Sequence, residues 1–360
     1  MSGAREQKID ALKCVAMAFV IVGHAIVHDN LFSVAAPTRV ALGAQWIERA
    51  TLNSLCLNVA YSFHMPLFAF LSAYVLFGRE GSPAKLIGKR ALSLLLPYTM
   101  WVGISYAFGA QTGWSWRAGA LYVGQRLVDP SLPGAAWFLY GLFGCFVVFA
   151  AVRALGGRDR MLVTSVVLVG GIVVLPFPAG QLRGAHDLSW LYPFFVMGYL
   201  FAKHAGFLRE RRAVLMWGGA VLWTVLLPVI WPVLAPEVNW WYPDLREALR
   251  ARNLPGAAVI YWAARYACAA AAISALFYAY DSLRGWPRAA QAWAGRRTLG
   301  MYVIQPYLFL FLAAVLAGNV FLLAIAVFAG SLMLTWIFEQ GSPTRLLLLG
   351  QRTAPRTSGR

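Results

Sequence analysis

Long apolar runs separated by short polar clusters set the pattern of this chain. Ten windows stand out, at residues 11–28, 55–78, 91–109, 134–153, 160–177, 188–204, 213–234, 256–280, 298–317 and 319–338. Runs of about 18 or more predominantly apolar residues match the hydrocarbon core of a bilayer. Backbone N–H and C=O groups inside lipid must pair within their own segment, so these windows predict helices rather than strands. The last two are joined by the turn residues Gly318 and Asn319. The first window resembles the apolar core of a signal peptide, yet it lacks a small-residue cleavage site and more spans follow. It is expected to remain as a helix. The expected fold is all-α, a polytopic transmembrane helix bundle of about ten spans. Residues 1–345 are expected to form one integral membrane domain and residues 346–360 a polar, basic C-terminal tail.

The basic residues orient this bundle. With the N-terminus in the cytoplasm, 22 of the 31 Lys and Arg residues fall on the inner side and 8 on the outer side, with Arg265 inside a span. The excess agrees loop by loop with the positive-inside rule and places both termini in the cytoplasm. The same distribution argues against a nucleic-acid partner. A net charge of +17 would suit one, but the cations are spread between spans and never gathered in a patch. Composition points the same way, with 60% apolar and 12% charged residues and a mean hydropathy of +0.62, where soluble domains carry about 25% charged residues. Cys14, Cys56, Cys145 and Cys268 have no metal-ligand spacing and lie in or beside apolar runs. Buried thiols are expected there, and no metal site. Trp46, Trp114, Trp116, Trp240 and Trp241 sit in the longer outer connections near 29–54, 110–133 and 235–255. They suit interfacial anchors first, and sugar-stacking platforms second.

Ionisable residues at membrane depth are costly, so each is a functional candidate. His24 lies late in the first window, His64 midway in the second and Arg265 midway in the eighth. Lys13, Arg90 and Glu339 stand at window ends, where snorkelling accounts for them without function. None of the 14 Asp and Glu residues falls in mid-window, which weakens an ion-coupled transporter reading. It also leaves Arg265 without an acidic partner at its own depth, so its guanidinium must reach an interface, backbone carbonyls or an anionic ligand. Lys13 and His24 are eleven residues apart, almost three helical turns. Both therefore face one side, about 16 Å apart along the axis, with Asp10 and Met17 close to the same stripe. On spacing alone, a lone membrane His is more often a helix-to-helix hydrogen-bond donor than a catalyst.

The stretch IDALKCVAMAFVIVGHA, Ile9 to Ala25, resembles the first helix of the acyltransferase 3 family of membrane-bound acyltransferases. That family carries a basic residue, ten intervening positions and then His, with an Asp just upstream; here the pattern is Asp10, Lys13, His24. Lys in place of the commoner Arg is similar to the subgroup related to fucose 4-O-acetylases. SFHMPLFAFLSAYVLF, Ser62 to Phe77, resembles that subgroup's Phe-His-Met-Pro signature, with Ala73 where Gly is usual. KRALSLLLPY, Lys89 to Tyr98, is similar to the basic segment leading to Leu-Pro-Tyr, with Ser93 where a second Arg is frequent. WFLYGLF (Trp137 to Phe143), WLYPFFVMGYLFAK (Trp190 to Lys203) and RRTLGMYVIQPY (Arg296 to Tyr307) resemble further family segments, and Gln305 replaces a His common in the last. The resemblance runs from about residue 5 to 340.

The resemblance implies transfer of an acyl group, usually acetyl, from cytoplasmic acyl-CoA to a hydroxyl of a glycan or lipid-linked sugar in the bacterial cytoplasmic membrane. It implies no bound cofactor: acyl-CoA, acetyl-CoA above all, is a co-substrate, and membrane lipids are the surroundings. The residues fit independently, because acyl transfer to an alcohol needs a base, and His titrates in the useful range. The donor's phosphates need cations, which Lys and Arg supply. His24 is then expected as general base, with His64 bonding the acceptor or orienting His24. Lys13 and Arg90 are expected to hold CoA phosphates, with Arg265 a third cation, and Asp10, Ser72, Trp137, Tyr302 and Gln305 to line the pocket. The rival readings are a glycolipid or small-molecule transporter or flippase without transferase activity, and a membrane scaffold. The intact Asp10, Lys13, His24 stripe argues against the scaffold.

Overall fold

A computed structural model describes residues 2–32, 39–42, 45–78, 81–109, 115–128, 136–156, 158–174, 183–230, 257–282, 288–316 and 318–352. Helix occupies part of every apolar window. The elements are α1 (Ser2–Phe32), α2 (Arg49–Tyr74), α3 (Pro83–Arg90), a π-helical turn (Ala91–Leu95), α4 (Leu96–Gly109), α5 (Trp116–Val128), α6 (Trp137–Ala154) and α7 (Asp159–Gly170) with a 3-10 turn (Gly171–Val174). They continue as α8 (Arg183–Lys203), α9 (Ala205–Glu210), α10 (Arg212–Ile230), α11 (Ala257–Ser282), α12 (Arg288–Gly295), α13 (Thr298–Leu312), α14 (Val320–Gln340) and α15 (Ser342–Leu349). Among the described residues the non-helical regular structure is a short antiparallel hairpin, β1 (Arg39–Leu42) and β2 (Gln45–Glu48), with Val40 opposite Ile47.

Six described helices are long and apolar enough to cross a membrane: Glu6–His28, Leu55–Tyr74, Pro83–Gly109, Trp137–Ala154, Val259–Ser282 and Val320–Gln340. Arg212–Pro228 and Thr298–Leu312 are apolar but shorter. The chain is a multi-pass, all-α membrane bundle. Its surface is apolar, with Val214, Trp217, Val221, Ile260, Phe321 and Ile325 all exposed, while Ser62, Ser189, Gln305, Ser331 and Thr335 are fully buried. That inversion is what a hydrocarbon solvent selects, since polar side chains find partners only inside the bundle.

The helices close a ring. α1 packs on α2, α2 on α8, α8 on α6, α6 on the π turn ahead of α4, α4 on α15, α15 on α14, and α14 back on α1. Inside the ring α13 touches α1, α14 and α15 and reaches α6 through the Tyr302–Phe138 ring contact. α10 and α11 pack on each other and flank α2 from outside.

Two segments depart from the expected picture. The connection 110–133, expected as an outer loop, contains α5, which runs antiparallel against α4. Tyr106 meets Tyr122 with ring centroids 5.3 Å apart, and the Tyr98 hydroxyl donates to the Arg126 carbonyl at 2.9 Å. The Tyr140 hydroxyl donates to the next carbonyl, of Leu127, at 3.1 Å. A helix C-terminus leaves its last carbonyls without intrahelical partners, and in lipid no water replaces them. The two tyrosines from α4 and α6 therefore take carbonyls that α5 leaves open at its end. Trp114, Trp240 and Trp241, expected as outer-loop residues, lie outside the described residues.

At the C-terminal end, α15 folds back onto the bundle. The Trp101 indole donates to the Leu348 carbonyl at 3.0 Å. Gly350 follows with φ +63, and a Cβ there would lie 2.5 Å from the Ser93 carbonyl and 2.9 Å from Pro97. Pro97 has no N–H to give the Ser93 carbonyl, which opens that carbonyl to the close backbone approach only glycine permits.

Candidate active site

α1 is unbroken from Ser2 to Phe32, so the stripe from Lys13 to His24 keeps its helical phase. At its far end His24 meets Gln305 of α13, a residue 281 positions away and fully buried. Nδ1 of His24 lies 3.1 Å from the Gln305 Oε1 and 2.9 Å from Nε2. Two pairings are chemically distinct. If Oε1 accepts the Nδ1–H, the imidazole carries its lone pair on Nε2; if the amide N–H donates to Nδ1, Nε2 carries the proton. Only the first leaves a base at Nε2. The edge of the Phe309 ring abuts His24, with centroids 6.2 Å apart at 67°.

His64 sits on α2, buried, in a helix that runs on through Pro66. Its Nδ1 lies 2.5 Å from the Ala60 carbonyl. A carbonyl only accepts, so Nδ1 holds the proton and Nε2 the lone pair. His64 lies within electrostatic reach of His24, but among the described residues no hydrogen bond joins the rings. His24 is hydrogen-bonded to Gln305. Ser72, two turns further along α2, donates to its own helix at the Phe68 carbonyl, 2.8 Å.

Tyr302 lies one turn before Gln305 on α13 and is buried. Its hydroxyl accepts the backbone N–H of Phe138 at 3.4 Å, one of the orphan donors at the start of α6. Trp137 meets Phe138 edge-on at 6.0 Å. Asp187 of α8 faces this point, within electrostatic reach of Tyr302 and close to Gly141 of α6. The structure thus brings Gln305 and Tyr302 of α13 against His24 and the start of α6, with Trp137 beside Phe138 and His64 within electrostatic reach of His24.

The cations divide. Lys13 pairs with Asp10 at 3.0 Å, and Gly295 of α12 sits on the Asp10 carbonyl so tightly that no Cβ fits. Arg90 ends α3 with its guanidinium 4.3 Å from the Phe146 ring centroid, immediately before the π turn, a distortion often found at functional sites. Arg265 is buried among aromatic faces, 4.8 Å from Trp190, 4.8 Å from Trp262 and 5.7 Å from Tyr261. It does not share a mouth with Lys13. Asp281, at the far end of α11, pairs with Lys8 at 2.8 Å, which sets the level of the Lys8 end; Arg265 stands about 24 Å along the axis from it by helical rise. Glu339, expected to snorkel, is instead buried and bonded to Arg297, whose Nε and Nη2 both reach Oε2 at 2.8 Å. A carboxylate with a guanidinium partner inside the bundle has no need to reach water.

Sequence reasoning missed His28, Arg126 and Asp187. His28 lies four residues after His24, and the i, i+4 rule would have found it. Asp187 lies one residue outside the window expected at 188, and Arg126 lies in a connection expected as a loop.

An imidazole held by an amide within a closed ring of membrane helices, with cations toward one end, defines a membrane protein with an interior polar site. Among known families, the acyltransferase domain model matches residues 6–340. The chain belongs to the acyltransferase 3 family. It is also similar to nodulation protein NolL of Mesorhizobium japonicum, 24% identical over 227 residues, covering 61% of this chain and 51% of that protein. Nodulation protein NolL of Sinorhizobium fredii is 28% identical over 145 residues, covering 40% and 38%. The matched region thus spans about half or less of the length of these curated relatives. No solved structure matches the chain.

Proposed function

We propose that this protein is a membrane-bound O-acyltransferase of the bacterial cytoplasmic membrane. It moves an acyl group, acetyl in the simplest case, from acyl-CoA to a hydroxyl of a glycan or lipid-linked sugar. The observation that carries this reading is the contact of His24 with the buried Gln305 amide. With Oε1 accepting the Nδ1–H, the Nε2 lone pair removes the hydroxyl proton. The hydroxyl oxygen forms a bond to the thioester carbonyl carbon, the C–S bond breaks, and the imidazolium returns the proton to the departing CoA sulfur. His24 ends as it began, and no bound cofactor enters.

His64, with its lone pair on Nε2, accepts a hydrogen bond from the acceptor. Lys13 and Arg90 hold CoA phosphates, and Asp10 keeps Lys13 placed between turnovers. Ser72, Trp137 and Tyr302 line the pocket. Arg265, at the other level of the bundle, is the weakest fit to a donor phosphate. Family membership and the mutual placement of these residues support the reading. The test is direct: purified protein in lipid nanodiscs, given labelled acetyl-CoA and a cell-envelope glycan extract, transfers label to the glycan. A flippase moves glycolipid and transfers none, and that result overturns the proposal.

A further inference from the structure

A second imidazole stands one turn beyond the first. His28 follows His24 by four residues on α1, so the two side chains rise from one face about 6 Å apart. Both meet Phe309 of α13. His28 stacks on that ring with centroids 4.7 Å apart and planes at 7°, while His24 meets it at 6.2 Å. Phe309 is fully buried, a fixed wall that sets the planes of both imidazoles.

The two rings differ in what they bond. Nδ1 of His24 is taken by Gln305. Among the described residues neither nitrogen of His28 makes a hydrogen bond, and the side chain is half-buried. A polar ring partly withdrawn from water without a partner costs free energy, and a polar ligand offsets that cost. The order along α1 is Lys13, then His24, then His28. The cation end suits the phosphates of the donor, so His28, on the far side of the base, faces the acceptor.

We propose that His28 is a positioning residue that selects which acceptor hydroxyl reacts. It hydrogen-bonds the hydroxyl next to the one that His24 deprotonates, and the acceptor is therefore a sugar ring presenting a vicinal diol. Hydrogen bonds of about 2.8 Å from each imidazole leave a gap that two neighbouring ring oxygens bridge. No bond forms or breaks at His28. The proposal rests on the acyl-transfer reading above.

The probe is a cell-envelope glycan extract, used intact or after periodate cleavage of its vicinal diols and borohydride reduction, with labelled acetyl-CoA and nanodisc-embedded protein. Wild type is expected to label the intact extract at least tenfold faster than the cleaved one. His28→Phe keeps the stack on Phe309 and removes the nitrogens. It is expected to raise the acceptor KM about tenfold, within what loss of one hydrogen bond costs, and to leave the acetyl-CoA KM unchanged. The acetyl group, located by NMR of the product, is expected to spread over two positions. His28→Gln, which keeps a hydrogen-bonding side chain, is expected to restore part of the acceptor KM and the single position. Equal labelling of cleaved and intact extract, or a His28→Phe enzyme with wild-type acceptor KM and one product position, overturns this proposal alone. A wild type that labels neither extract overturns the acyl-transfer reading, and this proposal with it.

Discussion

Gln305→Leu isolates the contact on which the proposed base depends. Leucine nearly conserves the volume, so the fully buried site stays filled and the change is chemical rather than a cavity. What is lost is the amide, 3.1 and 2.9 Å from Nδ1 of His24. A buried polar atom stripped of its partner costs about 1–3 kcal/mol. The imidazole recovers some of this by rotating toward another partner, which moves Nε2 away from the acceptor. If the whole penalty enters the barrier, kcat falls about fivefold to 150-fold, with the acetyl-CoA KM unchanged. Gln305→Glu separates the two tautomers. A carboxylate accepts the Nδ1–H but cannot donate to Nδ1, so it supports only the form with its lone pair on Nε2. That variant is expected to keep at least about a tenth of the wild-type kcat, the loss of one net hydrogen bond or less. Steady-state transfer from labelled acetyl-CoA, normalised to protein in the membrane, measures both. Wild-type kcat in Gln305→Leu, or complete inactivity in a folded Gln305→Glu, refutes the assignment of Nε2 as base.

Three further outcomes are expected. Glu339→Gln leaves the buried Arg297 guanidinium without its carboxylate and should destabilise the protein by about 3–5 kcal/mol, read as a lower melting temperature in detergent; the double replacement Arg297→Met with Glu339→Leu should cost less than either single change. Gly350→Ala forces a Cβ against the Ser93 carbonyl at positive φ and should cost about 1–2 kcal/mol from the backbone conformation alone, visible as faster proteolysis near α15. Lys13→Ala should raise the acetyl-CoA KM about tenfold with little change in kcat, as removal of a charged hydrogen-bond donor to phosphate would.

Much of the fold was legible because the bilayer imposes one rule on every segment. Apolar windows became helices, and the 3.6-residue period carried the Lys13 to His24 stripe intact through α1. What escaped notice depended on partners far away in the chain. Tyr98 and Tyr140 take the last carbonyls of α5, and its own mixed sequence gives no sign of that. Glu339 has the position of a snorkelling end residue, and its partner Arg297 lies 42 positions away in the chain. Arg265 is met by the faces of Trp190 and Trp262, and only the packing of α8 beside α11 supplies the first of these. His24 and Gln305 were both expected in the pocket, but a single sequence cannot show that one holds the other.

The central claim is that the His24 imidazole takes the acceptor's proton. The most direct measurement compares wild type and His24→Ala, reconstituted at equal abundance, for transfer of labelled acetyl from acetyl-CoA to the glycan extract. A general base contributes about 100-fold to 10,000-fold, so the variant should fall to background or at most about one hundredth of the wild-type rate. Transfer by His24→Ala at the wild-type rate would contradict the account.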